Sequence, residues 1–499
     1  MNVKELLKEQ ARYHPNKTAI IFEDTHTSFT QLRDSSFRFA NYLIDSGIGK
    51  GDKIALFLPN ILEAVFAQLG ALSMGAVLVP LDFMLTEEEI VNFINHSESK
   101  ILVIQPKKEV SVENVKTRCP TLERIVVCKE SGENLVSLSQ IMDRSSSSEP
   151  SLDITHLDIS SLFYTSGSTG HPKGVVLTYK HLENPPKTLD YFLKGSTDDI
   201  YLCGGVPFSH IAGLDFILMM IYFGSTLVLM ERFQPLEFIR NIERYRVTIF
   251  CIVPAMFVAI LSLKEYDKFD FSSLRYAVVF GAPSSPMLLK RFHKAYPGAT
   301  MLNGWGMTET AAPNTYSPPD ESKISSIGPF GFNMEAKIVN EQGCCVARGQ
   351  RGELWVRGEP VMVGYYKEDA LTKEVLTEDR WLKTGDIAIL DENGLFYIVG
   401  RKKDMIKVAG EIVFSPEVEE KIYRHPKVKE VAVIGVPDAL RGEVPKAFIV
   451  ADQTQTLGVE ELEQFLKEHL AHFKIPHHFE FLPNLPKNRT GKIDKTKLS

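Results

Sequence analysis

The sequence holds 499 residues, 44% of them apolar (AVILMFWYC) and 24% charged. Its 56 basic and 63 acidic residues leave a formal net charge of −7. These values exclude a wholly disordered chain, a collagen-like fibre and a disulfide-stapled mini-protein, and they advertise no nucleic-acid or anionic-membrane partner. The length suggests about three domains or subdomains. Six sparse cysteines without a CxxC pair (Cys119, Cys128, Cys203, Cys251, Cys344 and Cys345) read as reduced thiols of a cytoplasmic protein.

The N-terminus carries acid and base early and no long apolar core, so no signal peptide is expected. Thr30 can cap a helix whose apolar positions include Leu32, Phe39, Leu43 and Ile44 and which ends at Gly47. Lys53–Leu58 reads as a strand, and Asn60 as the cap of the next helix. Residues 64–79 lack charge. They contain Gln68, Gly70, Ser73 and Gly75, and so read as a buried helix, a break at Gly75 and a strand, not as a membrane span. Thr86 and Glu89 form a capping box, and Ile101–Ile104 is a strand. The alternation returns at Asp199–Gly204, Thr226–Met230, Thr248–Val253 and Tyr276–Phe280. It predicts layered α/β architecture with parallel sheets. Ser145–Ser148 is a polar loop. Asp386–Val399 reads as a hairpin around a turn at Asp391–Gly394. Beyond the charged run Arg401–Asp404, helices (Pro416–Tyr423, Glu460–His469) and strands (Val431–Val436, Ala447–Val450) predict a small α+β domain. The expected division is 1–400 and 401–499.

The segment Tyr164–Gly174 packs five hydroxyls, three glycines and a lysine into eleven residues. Glycines let the backbone wrap closely around a ligand, consecutive N–H groups form an anion nest, and Lys173 adds a point charge suited to phosphate. A flexible surface loop would also favour Gly and Ser, but a lysine held between Pro172 and Gly174 favours phosphate. The spacing is neither a Walker A loop nor a GxGxxG fingerprint.

This segment closely resembles the phosphate-binding loop of the adenylate-forming (AMP-binding) superfamily, which includes the acyl-CoA synthetases. Three further matches follow in the family's order: Gly304-Trp305-Gly306-Met307-Thr308-Glu309-Thr310, Thr384-Gly385-Asp386 with Gly400–Gly410, and Pro486–Lys492. The resemblance implies a large N-terminal α/β body, with ATP and acyl sites, and a small mobile C-terminal cap. It implies ATP/AMP binding by Thr165, Ser166, Gly167, Ser168, Thr169, Gly170, Lys173, Gly281, Ala282, Pro283, Asn303, Gly304, Trp305, Gly306, Met307, Thr308, Asp386, Arg401 and Lys492. Glu309 would hold Mg²⁺, because a carboxylate beside a phosphate nest needs a cation between them. Alone, Glu309 would be a solvated loop acid, Asp386 a turn cap, Trp305 core and Lys492 a mobile terminal lysine.

The catalytic set implied is Lys492, His210, Thr165 and Glu309. Lys403 stands at the hinge position, and Lys407, Ala409, Gly410 and Glu411 line a CoA channel. Val206–Leu214 resembles the acyl-pocket segment, giving His210, Ile211, Gly213, Leu214 and Phe280 as pocket residues, although apolar residues at this spacing also suit simple core. No arginine lies within 203–220 to pair with a second carboxylate, which disfavours dicarboxylates. Ser209 and Asp215 depart from an apolar pocket. The implied activity is that of an ATP-dependent acyl-CoA synthetase acting on a medium- to long-chain fatty acid or an aryl acid, with ATP, Mg²⁺ and coenzyme A. A homodimer and a separate carrier-protein partner are both compatible with the resemblance. Two alternatives are adenylation with transfer to a carrier-protein pantetheine, and a non-catalytic nucleotide-binding protein. The retention of Lys173, Glu309, Asp386, Arg401 and Lys492 argues against the last.

Overall fold

The computed structural model describes every residue except 129–134, 166–172, 265, 282–285, 297, 332, 453–456, 488–492 and 499. Two eight-stranded sheets dominate the N-terminal body. In the first, parallel strands Thr300–Trp305, Tyr276–Val279, Ile249–Ile252, Ile200–Gly204, Thr226–Met230 and Thr18–Phe22 lie side by side, with antiparallel edges at Thr315–Tyr316 and Thr25–Ser28. In the second, Ile159–Thr165, Val77–Leu81, Lys53–Phe57, Ile101–Ile104, Arg124–Val127 and Val136–Ser137 run parallel. The strand Lys173–Thr178 folds back antiparallel on Ile159–Thr165, and Gly364–Tyr365 completes the edge.

One core joins the facing sides of both sheets. Helices Phe29–Asp45, Leu62–Ser73 and Ile211–Phe223 contribute to it, and the last two are apolar almost all round, as a helix enclosed by other layers must be. The outer faces carry amphipathic helices, among them Pro235–Tyr245 and Pro286–Ala295 on the first sheet and Glu87–Ser97 on the second. Two predicted caps differ. The helix expected after Thr30 begins at Phe29 and is capped by Ser28 in a box with Gln31. Asn60 caps nothing: its Nδ2 donates to the Val206 carbonyl at 2.7 Å, and its Oδ1 accepts from the Phe208 N–H at 3.0 Å. The Thr86–Glu89 box forms as expected. The uncharged stretch 64–79 contains the end of a buried helix, a bend at Gly75 and a strand, and among the described residues no helix is long and apolar enough to cross a membrane. All six cysteines are free thiols.

A four-stranded antiparallel sheet (Met334–Val339, Arg351–Gly358, Leu382–Leu390, Phe396–Arg401) follows. Its last hairpin turns at Asp391–Gly394, as the sequence predicts. A short turn, Lys402–Asp404, then leads into a five-stranded C-terminal sheet of Met405–Val408, Glu411–Phe414, Val428–Asp438, Gly442–Ala451 and His478–Phe481. Helices Ser415–Tyr423 and Val459–Lys467 pack on it and share a core of their own, including Val418, Ile422, Val433, Ile449 and Leu462.

Candidate active site

The phosphate-loop candidate is the turn of a β-hairpin. Thr165 and Lys173 face each other across the last rung of Ile159–Thr165 and Lys173–Thr178, so both point of exit and point of return are fixed by ladder hydrogen bonds. Ser166, Gly167, Ser168, Thr169 and Gly170 lie outside the described residues. Tyr164, one residue before Thr165, is held by a 2.7 Å hydrogen bond to His96 Nδ1 and an edge contact with Phe93.

Tyr365 joins this hairpin to Glu309. It pairs with Val175 as an added edge strand, and its ring lies 5.5 Å from the Lys173 ammonium. Its hydroxyl donates to Glu309 Oε1 at 2.9 Å. Glu309 itself sits in the 3₁₀ turn Thr308–Thr310, with its carbonyl accepting from the Met362 N–H. The side chain is only 8% exposed. Burial raises its pKa, while the Tyr365 hydrogen bond and the charges of Arg401 and Lys173 act in the opposite direction. The same carboxylate and burial raise the pKa of Tyr365.

Asp386 anchors the second cluster. It faces Arg401 across the antiparallel pair Leu382–Leu390 and Phe396–Arg401, and Arg401 Nε approaches its Oδ1 at 2.6 Å. Trp305 Nε1 donates to the other oxygen, Oδ2, at 2.9 Å. Burial lifts the Asp386 pKa, against the pull of Arg401 and Trp305. An ionised carboxylate has roughly four lone-pair sites, so acceptor capacity remains for a diol. Trp305 is therefore both core and site: it packs edge-on against Phe330 and orients Asp386.

The adenine-side candidates lie at the ends of neighbouring parallel strands. Asn303 pairs with Val279, donating its N–H to Ser317 Oγ and its side-chain amide to the Ser326 carbonyl. Gly304 and Trp305 pair with Tyr316 and Thr315. Gly306 and Met307 lead into the Glu309 turn, whose start is tied by the Met307 N–H to Thr310 Oγ1. Phe280 and Gly281 follow the strand Tyr276–Val279; Ala282 and Pro283 lie outside the described residues.

The acyl-pocket candidates open the helix Ile211–Phe223. His210 is its N-terminal flanking residue, and its Nε2 lies 4.0 Å from Asp82 Oδ2. A β-carbon on Gly213 would stand 2.4 Å from the Pro207 carbonyl oxygen, so only glycine lets this helix tuck against residues 207–208. Ile211 and Leu214 are buried. Asn60, clamping Val206 and Phe208, fixes the approach to this segment; sequence reasoning assigned it to a helix cap instead.

The CoA-channel candidates stand apart, on the C-terminal sheet. Lys407, Ala409, Gly410 and Glu411 form the tip of the hairpin Met405–Val408/Glu411–Phe414. Ala409 and Gly410 both have positive φ (48° and 91°), the two-residue turn that matches strand twist. Lys407 N–H donates to Glu443 and Ala409 N–H to the Arg441 carbonyl, both of the same domain. Lys403 lies in the turn between the four-stranded and C-terminal sheets. Lys492 lies outside the described residues; an antiparallel bridge between Lys487 and Ile493 brackets its segment.

Glu309 fits one mode of Mg²⁺ binding. Among the described residues there is no cluster of three or more His, Cys, Asp or Glu able to hold a metal. Mg²⁺ at nucleotide sites is typically held by one or two carboxylates, substrate phosphates and waters, so a single buried carboxylate near Lys173 is an adequate protein donor set.

The comparisons agree with this layout. A family model described as AMP-binding enzyme matches residues 7–366, and the AMP-binding enzyme C-terminal domain matches 417–492. A long-chain-fatty-acid–CoA ligase of Bacillus subtilis (strain 168) is 30% identical, over 99% of this chain and 94% of its own. A 4-coumarate–CoA ligase 1 of Petroselinum crispum is 32% identical over 96% and 90%. The crystal structure of the anthranilate CoA ligase AuaEII in complex with anthranoyl-AMP superposes with a TM-score of 0.93 at 27% identity, covering 100% of this chain and 96% of that one. Two family models in series over most of the sequence, on a fold shared with an adenylate-bound ligase, place the chain in the AMP-binding enzyme family.

Proposed function

We propose that this AMP-forming acid–CoA ligase acts on a medium- to long-chain fatty acid or an aryl acid and that the residues above divide its two half-reactions between them. One observation carries the reading: the Glu309 carboxyl feels both Lys173, at the phosphate hairpin, and Arg401, which is paired to Asp386 and through it to Trp305. Segments from 165 to 401 thus converge on one carboxylate.

In the first half-reaction a carboxylate oxygen of the acid attacks the α-phosphorus of ATP. The P–O bond to pyrophosphate breaks, leaving acyl-AMP. Thr165, the 166–170 segment and Lys173 hold the phosphates. Gly281, Ala282, Pro283, Asn303, Gly304 and Trp305 enclose the adenine. Gly306, Met307 and Thr308 line the nucleotide, Asp386 accepts from the ribose hydroxyls, and Arg401 reaches ribose or phosphate. Mg²⁺, when bound at Glu309, supplies charge neutralisation to the phosphates. Lys492 stands where two anions meet. His210, Ile211, Gly213, Leu214 and Phe280 take the acyl group.

In the second half-reaction the thiol of CoA, losing its proton, attacks the acyl carbonyl, and the C–O bond to AMP breaks. We place the domain boundary between residues 400 and 401. Rotation about Lys403 exchanges Lys492 for the hairpin of Lys407, Ala409, Gly410 and Glu411, which then walls the pantetheine path.

Incubation of the enzyme with ATP and a panel of fatty and aryl acids, with and without CoA, tests the activity. AMP and thioester should appear only when acid and CoA are both present. No AMP with any acid would sink the reading. The hinge makes a separate prediction. Lys403→Pro locks one backbone torsion, so thioester formation from supplied acyl-AMP should fall about tenfold more than pyrophosphate release does. Equal losses in both half-reactions would remove the hinge role.

A further inference from the structure

The interior of the acyl region is not apolar. Asp215 lies in the first turns of Ile211–Phe223, four residues after Ile211 and three after Ala212, hence on the same helix face. It is 4% exposed, and its Oδ1 has no hydrogen-bond partner among the described residues. Tyr201, fully buried on the adjoining sheet face, likewise leaves its hydroxyl without a partner among them. Native structures leave few buried polar atoms unsatisfied, so two in one neighbourhood call for a ligand.

A space is there to receive one. Cys251 belongs to a central strand of the first sheet, with neighbours on both sides, yet it is only partly buried. Ala212, Phe280 and Met307 are also partly exposed and pack against the same core. Asp215 acts through space on Cys251 and Tyr316, and Cys251 acts on Tyr201, so these side chains surround one internal region. No charged group among the described residues contributes to the titration of Asp215; burial is its sole cause. The protein thus offers it no cation, and the complement must arrive with the substrate.

We propose that Asp215 is a specificity-determining residue of the acyl site, and that the acid activated carries a hydrogen-bond donor, an amino or hydroxyl group, on its chain or ring remote from the carboxylate. This rests on the acyl site lying at residues 210–214 and 280. A merely apolar pocket cannot separate a hydroxyl from a methyl strongly, whereas a site with a buried acceptor rejects the methyl isostere because the acceptor is then left unpaired.

The experiment compares isosteric pairs on the full-length enzyme with ATP and CoA: para-aminobenzoate and para-hydroxybenzoate against para-toluate, and omega-hydroxyoctanoate against nonanoate. For at least one pair kcat/KM should favour the donor by about 10- to 100-fold. Asp215→Leu should abolish or invert that ratio without changing KM for ATP, and Asp215→Asn should retain part of it. Ratios within about threefold of unity for every pair in the wild type, or a ratio unmoved in Asp215→Leu, would overturn the inference while leaving acid–CoA ligation intact. No AMP from any of these acids would overturn ligation itself, and this inference with it. Should either variant fail to fold, the wild-type ratios decide alone.

Discussion

Lys492→Ala is expected to leave ATP affinity nearly unchanged and to lower acyl-adenylate formation by at least about 10²–10³-fold. The reason is electrostatic. Adenylation forces a carboxylate against the α-phosphate, and these two anions repel until the new bond forms. A cation placed between them is worth more in the transition state than in either separate ground state. Truncating it should therefore remove rate and leave ground-state binding. The lysine also belongs to a bracketed segment, since the Lys487–Ile493 bridge and the Lys487–Glu430 ion pair tie its flanks to the C-terminal domain. Pyrophosphate release at saturating acid and ATP reads the chemistry, and nucleotide titration reads binding. Thioester formation from supplied acyl-AMP and CoA should survive, because that step no longer opposes two anions at phosphorus. Pyrophosphate release within a fewfold of wild type would dismiss Lys492 from the role.

Much of the site is legible because its parts are short and local. A hairpin turn rich in Gly and hydroxyls announces itself within eleven residues. The α/β layering follows from alternating apolar strands and helices, and the structure returns those elements within a few residues of where periodicity puts them. What stays hidden is set by tertiary contact. Tyr365 supplies the hydrogen bond that holds Glu309, but it belongs to a two-residue edge strand with no periodicity of its own; the Gly364-Tyr365-Tyr366 run was the one cue available. Asn60 has the residue type and position of a helix cap, yet its partners lie some 146 and 148 residues away, and no local rule can choose between them. Ser28 and Thr30 are both good caps by residue type, and the capping box with Gln31 decides in favour of Ser28. Asp215 was visible as an anomaly in the sequence; only its burial and missing partner make it a candidate for recognition.

Glu309→Gln should separate function from stability at a single atom pair. The amide oxygen can still accept from the Tyr365 hydroxyl, so the turn Thr308–Thr310 should persist. The negative charge that would hold Mg²⁺ is gone, and adenylation should fall by about 10²-fold or more. Stability should move the other way. Burial raises the Glu309 pKa in the folded protein, so the native state holds its proton more tightly than the unfolded chain does. A group of this sign favours folding at low pH and withdraws that support as pH rises through the raised value. The substituted amide has no proton to lose. The variant's apparent melting temperature should therefore match that of the wild type near pH 4, below the ordinary Glu value of about 4.3. It should exceed the wild type's increasingly as pH climbs, with the full difference reached once wild-type Glu309 is ionised in both states. Thermal melts of both proteins without nucleotide, from pH 4 to 8, read this directly. A gap that is absent at pH 8, or widest at pH 4, would show that the buried carboxylate is not strained by its surroundings. Activity of Glu309→Gln within a fewfold of wild type would remove Glu309 from the phosphate chemistry whatever the melts show.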